Sequence, residues 1–197
     1  MTQLLRQSPG GRRRRRRRDR RSRFTGIQNI TAIEQRPPEV ELRLELGHWE
    51  GDLMKGANGQ SCIATLVERA SRLTLIVPLR SAHSDEVCQA IIKRLRRLPP
   101  QLRRSLTYDR GTEMAQHLTV SAQLNMPVYF CSPYSPWQRG SNENTNGLIR
   151  QYLPKGMDLF TVTAQELRRI ESSINNRPRR MFDYGSAQEV FDAQRAR

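Results

Sequence analysis

The sequence predicts a mixed α/β domain, and three observations carry that expectation. β-rich runs, one of them strictly alternating, crowd into residues 45–79, runs of helical period begin at Asp85, and the two kinds interleave from there onward. Strands joined through helical crossovers return parallel to themselves, so the order calls for one sheet covered by helices.

Each element has its own justification. Glu45–Met54 carries Trp49 and the Gly47/Gly51 pair and reads as a strand, and the turn Gly56-Ala57-Asn58-Gly59 follows it. Its Asn-Gly pair is a strong hairpin signal. Cys62–Val67 and Leu73–Leu79 are β-rich, with Leu73, Leu75, Val77 and Leu79 at period two. These three strands make an antiparallel meander. Asp85–Leu98 switches to helical period, with Val87, Ile91, Leu95 and Leu98 on one face, Lys93, Arg94, Arg96 and Arg97 outside it, and Pro99-Pro100 as its stop. Ser105–Asp109 is a short strand, Glu113–Leu124 a helix and Val128–Cys131 a strand. After a Pro/Ser-rich loop at 132–140, Asn142–Leu153 is helical. The last helix starts at Thr163, where Glu166 completes a capping box, and presents Leu167, Ile170 and Ile174 before ending ahead of Pro178. The order β-β-β-α-β-α-β-α-α is that of the ribonuclease-H-like fold, a mixed five-stranded sheet with flanking helices. The expected division is an irregular Arg-rich tail and linker at 1–43, a core at 44–155 and a helical extension at 156–197.

Charge points to the partner. The formal net charge is +15. Cations that neutralise phosphates gain free energy by releasing condensed counterions, so a polyanion is expected. The basicity is concentrated: residues 1–23 hold eleven Arg and one acid, whereas the other 174 hold 23 Lys/Arg and 18 Asp/Glu. Arg12, Arg13, Arg14, Arg15, Arg16, Arg17 and Arg18 repel one another, which favours a disordered tail that contacts DNA non-specifically or merely stays solvated. Cys62, Cys88 and Cys131 lie in apolar runs without CxxC spacing and read as core residues of a reducing cytosol. His48, His83 and His117 show no ligand spacing. No window approaches 18 consecutive apolar residues, and the basic start lacks the apolar stretch of a secretory signal.

Three acids are singled out by the elements that carry them. Asp52 lies in the first strand, in Trp49-Glu50-Gly51-Asp52, where a carboxylate among apolar neighbours is costly without a counter-ion. Asp109 ends the fourth strand, ahead of the Arg110-Gly111 turn. First and fourth strands are neighbours in this strand order, so the two carboxylates can meet. Glu143 opens a helix able to pack against the same edge, and 33 residues separate it from Asp109. Converging carboxylates suit Mg2+ or Mn2+, and two such ions roughly 3.5–4 Å apart activate a nucleophile and stabilise a leaving oxyanion in phosphodiester cleavage.

Gly47-His48-Trp49-Glu50-Gly51-Asp52, Tyr108-Asp109-Arg110-Gly111-Thr112-Glu113 and Ser135-Pro136-Trp137-Gln138-Arg139-Gly140-Ser141-Asn142-Glu143-Asn144-Thr145-Asn146-Gly147 resemble the catalytic motifs of the IS-thirty family of insertion-sequence transposases, within the DDE transposase and retroviral integrase group. The resemblance spans about Arg36 to Ala193 and includes the 33-residue gap. It implies that Asp52, Asp109 and Glu143 hold a pair of divalent ions, Mg2+ or Mn2+. It also implies nicking at the element's ends, strand transfer by the freed 3′-hydroxyl, and assembly as a homodimer or higher oligomer on DNA beside the bacterial nucleoid. Arg150, two helical turns after Glu143, resembles the family's phosphate-contacting cation. Arg139 and Arg110 are further phosphate candidates, and Trp137 is a candidate for stacking on an unpaired base or for capping the core. Asn175-Asn176-Arg177-Pro178-Arg179 resembles the family's closing motif and is expected to orient the last helix. Full-length relatives carry an amino-terminal helix-turn-helix, and residues 1–35 show no recognition-helix pattern. The alternative to a transposase core is therefore a non-catalytic DNA-binding remnant that modulates an intact transposase. A ribonuclease H acting on RNA–DNA hybrids shares the fold but not the Ser135–Gly147 motif.

Overall fold

The computed structural model describes residues 27–196, so the Arg12–Arg18 expectation lies outside the described residues. Strands β2 (His48–Lys55), β3 (Cys62–Glu68) and β4 (Thr74–Pro78) form the antiparallel meander. Strand β5 (Ser105–Tyr108) returns parallel to β2, with Glu50 opposite Thr107, and β6 (Val128–Phe130) returns parallel to β5.

Among the described residues, regular structure begins at Thr31 rather than near Leu44. Strand β1 (Thr31–Ala32) pairs in parallel with β6, and a one-turn helix, α1 (Glu39–Leu42), follows. Residues 27–43 of the expected irregular segment thus include a sixth strand, giving the order β1-β6-β5-β2-β3-β4. Burial of Arg36 ties this segment down: its guanidinium donates to Thr107 Oγ1 at 2.8 Å and pairs with Glu41.

Period-two alternation decides which residues meet which helices. Trp49 and Leu53 of β2, Ala64 and Leu66 of β3 and Leu106 and Tyr108 of β5 share one core with α2 (Ser84–Leu95) and α3 (His117–Leu124). Met54, Ile63 and Ile76 look the other way, toward Ile149 of α4 (Gly140–Ile149) and Leu167 and Ile174 of α5 (Ala164–Asn175). The 156–197 segment therefore shares a core with the sheet. Trp49 is fully buried and its indole donates to Leu102 O at 2.8 Å, which satisfies its one polar atom.

The helix expected from Glu113 is a 3-10 turn, Thr112–Met114, and the α-helix proper starts at His117. Glu113 folds its carboxylate over Gly111, where a Cβ would collide with it. Helix α5 carries the capping box read from the sequence: Thr163 Oγ1 accepts from Glu166 N–H at 3.2 Å, and Glu166 accepts from Thr163 N–H at 2.8 Å. A further helix, α6 (Ala187–Arg195), has the same device in Ser186 and Glu189, a sequence signal present but unused. Strand β4 is an edge, and α5 covers it with side chains. Asn175 accepts from Thr74 N–H and donates to Thr74 O, both at 2.8 Å, while Glu171 accepts from Ile76 N–H at 2.7 Å. Those contacts occupy backbone groups that an open edge would offer to another chain. Among the described residues no helix is long and apolar enough to cross a membrane.

Candidate active site

Strand pairing brings two of the expected acids together. Asp52 shares its face of β2 with Glu50 and Met54, the side turned to α4. Asp109 follows β5 directly, one alternation after Tyr108, so its side chain comes to that face too. The two strands can lie close because residue 51 is glycine. A Cβ there would run into the Tyr108 ring and meet Leu106 Cδ1 at 3.3 Å.

The carboxylates converge on one cation, the guanidinium of Arg139. It stands 3.0 Å from Asp52 Oδ1 and 3.1 Å from Asp109 Oδ2, and donates to Gly51 O at 3.1 Å. Burial disfavours its charge, but the two aspartates outweigh burial and hold the guanidinium above its ordinary pKa. The other oxygens are also engaged: Asn146 Nδ2 donates to Asp52 Oδ2 at 2.7 Å, and Gly111 N–H donates to Asp109 Oδ1 at 3.1 Å. Glu113 is close enough to feel both aspartates; burial, then the charge of Asp109, raises its pKa.

Helix α4 supplies the third acid from a strip that runs along β2. Glu143, Asn146 and Arg150 recur at i, i+3 and i+7 and so lie on one side of the helix. Asn146 touches Asp52, and Arg150 touches the end of the strand, donating to Lys55 O at 2.7 Å. Glu143 lies one turn ahead of Asn146 on that strip and is exposed. Asn142 anchors the first turn: its N–H donates to Glu50 Oε2 at 3.1 Å, and its amide donates to Glu50 O at 3.0 Å. The Thr65 hydroxyl sits 3.0 and 2.9 Å from the side-chain oxygens of Asn142 and Asn146 and, with one proton, satisfies one at a time. Glu50 is itself fully buried and paired with Arg69 at 2.5 Å.

The expected DNA-contacting residues separate into two groups. Trp137 is 71% exposed, on the turn that leads into α4. The three arginines are committed internally: Arg139 to the aspartates, Arg150 to Lys55 O and Leu153 O, and Arg110 to Cys131 O at 3.1 Å. Sequence reasoning missed Asn142, Asn146 and Thr65. The i, i+4 spacing of the two asparagines within the long third motif was the available signal.

The donor set suits a divalent ion. Among the described residues no three acidic, histidine or cysteine side chains already form a metal cluster. Asp52 and Asp109 nevertheless direct one oxygen each at a single cation, here Arg139, and all the available donors are carboxylate oxygens, which Mg2+ and Mn2+ prefer. Asp52 and Asp109 would hold such an ion, with Glu143 the third acid on the facing helix strip.

Residues 43–136 match the family model for the integrase core domain. The chain is 49% identical over 165 residues to the transposase for insertion sequence element IS1086 of Cupriavidus metallidurans, covering 84% of this chain and 49% of that one. It is likewise 49% identical over 166 residues to transposase InsI for insertion sequence element IS30A of Escherichia coli K12, covering 84% and 43%. The transposase for IS4351 of Bacteroides fragilis is 40% identical over 159 residues, covering 81% and 48%. The catalytic core domain of BIV integrase superposes with a TM-score of 0.56 at 18% identity, covering 76% of this chain and 95% of that one. A chain of a simian T-cell lymphotropic virus intasome gives 0.59 at 16%, covering 75% and 54%. Likeness at that identity shows the ribonuclease-H-like fold. Over most of its length the chain is thus similar to IS30-type insertion-sequence transposases, and it spans about half the length of the curated relatives it matches.

Proposed function

We propose that this chain is the metal-dependent core that cuts and joins DNA strands during transposition of an insertion sequence, with Asp52, Asp109 and Glu143 as metal ligands. The observation that carries the reading is the convergence of Asp52 and Asp109, from adjacent parallel strands, on one cation at 3.0 and 3.1 Å. When bound there, a pair of divalent ions supplies an activated oxygen nucleophile and stabilisation of the leaving oxyanion.

The chain's own residues prepare that chemistry. Asn146 fixes Asp52 and the Gly111 N–H fixes Asp109, so neither carboxylate has to search for its orientation. Arg139 neutralises the two aspartates in the meantime and has to release them before they take divalent ions. Its guanidinium, freed at the mouth of the site, is then placed to meet a DNA phosphate, as the sequence suggested. Trp137 beside it offers an exposed face to an unstacked base. The partners are element ends and target DNA, on which two or more copies assemble; one structural neighbour is part of an intasome. The proposed core unit, 44–155 by sequence, also takes in β1 and α5, which pair with and pack on its sheet.

Strand transfer from pre-nicked terminal-repeat oligonucleotides in Mn2+ tests the proposal. The wild-type chain should join them, and Asp52→Asn and Asp109→Asn should each reduce joining to background. Full activity in Asp109→Asn would end the metal-ligand assignment. The Arg139 ion pairs favour one second reading, a DNA-binding chain whose acids stay neutralised. In that case wild type binds duplex DNA but joins nothing at any Mn2+ concentration, even with Arg139→Ala.

A further inference from the structure

At the α4 N-terminus two arginines besides Arg139 converge on one residue, Ser141. Arg43, just after α1, donates to Ser141 Oγ at 3.0 Å, and Arg72, in the β3–β4 turn, donates to the same oxygen. Both are half-buried, and neither has a carboxylate partner among the described residues. The nearby acids are already engaged. Glu41 takes Arg36 and Arg69, Glu50 takes Arg69 and Asn142 N–H, and Glu68 takes Ser71 and Gly47 N–H. Two guanidiniums with five N–H donors each thus share one neutral hydroxyl.

The backbone adds to the case. Arg43 and Arg72 both occupy the left-handed region, at φ 55° and 64°, which is costly for a residue with a Cβ and clusters at functional positions. The two turns hold both guanidiniums over the first turn of α4, a 10-residue helix whose positive end favours an anion. Paired guanidinium forks match the geometry of a phosphate's oxygens.

We infer that Arg43, Arg72 and Ser141 form an oxyanion site that takes one backbone phosphate of the DNA strand lying across α4. This rests on the DNA-processing reading above. Ser141 is two residues from Glu143, so the site would fix the strand's register next to the reacting phosphodiester while carrying no sequence information.

Binding of duplex and single-stranded DNA to the full chain, measured by fluorescence anisotropy across a salt series, tests it. Arg43→Gln/Arg72→Gln should weaken binding about tenfold regardless of sequence and reduce the salt slope by about 1. Ser141→Asp places a carboxylate between the guanidiniums. It should raise the thermal midpoint yet weaken DNA binding to the same extent, which a folding defect would not do. Unchanged affinity and slope in both variants would overturn the site. A parallel titration with inorganic phosphate separates the two readings. Wild type that is stabilised by phosphate, with the double variant unaffected, but that binds no DNA would retain the oxyanion site and remove its DNA assignment.

Discussion

At Asp52 the two oxygens have two owners, Arg139 and Asn146, and a metal ion bound as proposed would displace one and work with the other. Asn146 is the compatible one, because an amide donating to the outer oxygen orients the carboxylate without neutralising it. Asn146→Ala should lower strand transfer roughly 10- to 100-fold, the usual effect of removing such a support, with little change in the thermal midpoint. A comparable fall in stability would instead make Asn146 a packing residue. His48 reports on the beginning of the same strand. Burial, then the charge of nearby Arg104, depresses its pKa from 6.5 to about 4, while its Nδ1 stays 2.8 Å from Ser105 Oγ. The unfolded chain therefore binds the proton more readily between those values, and stability declines as pH falls from about 6.5 toward 4. The decline should be about 2 kcal/mol, allowing for partial exposure. Chemical denaturation at pH 7 and pH 5 should show a smaller difference in His48→Gln than in wild type.

Among the elements, the β2–β5 pair and the α5–β4 edge bear the most on the site. Gly51 lets the Tyr108 ring approach β2 closely, and Tyr108 immediately precedes Asp109. Gly51→Ala should cost about 1–3 kcal/mol through overpacking and displace Asp109 from Asp52. Weaker Mn2+ binding together with a lowered midpoint is the expected result, and a lowered midpoint alone would show that β5 can yield without moving its end. At the far edge, Asn175→Ala leaves the buried Thr74 N–H and C=O unpaired and should cost about 1–3 kcal/mol by urea denaturation. Exposing that strand should also promote self-association, measurable by light scattering.

Across the whole molecule, the features that repeat locally were the legible ones. Alternation in Leu73–Leu79, the Thr163/Glu166 capping box and the helical face of Val87, Ile91 and Leu95 each depend on neighbours within a turn or two. They appear in the structure within a few residues of where the sequence puts them. The pairing of the first and fourth strands followed from strand order, and with it the meeting of Asp52 and Asp109. What stayed hidden depends on distant partners. The two residues of β1 are strand only because β6 lies beside them, and Arg36 is buried only because Thr107 waits 71 positions away. Arg139 read as a phosphate contact because a cation beside acids looks free in one dimension. Its partners sit 87 and 30 positions back in the chain, and the fold decides that they come first. Helix α6 is the exception, since its Ser186/Glu189 box was local and visible.

The central claim is that the acids now holding Arg139 are built to hold divalent ions. Direct Mn2+ titration, followed by the loss of the free-ion paramagnetic resonance signal, measures that without requiring DNA or turnover. Wild type should bind Mn2+, Asp52→Asn and Asp109→Asn should each weaken it more than tenfold, Glu143→Gln should weaken it less, and Arg139→Ala should tighten it. Equal Mn2+ binding in wild type and in an Asp52→Asn/Asp109→Asn double variant would contradict the account.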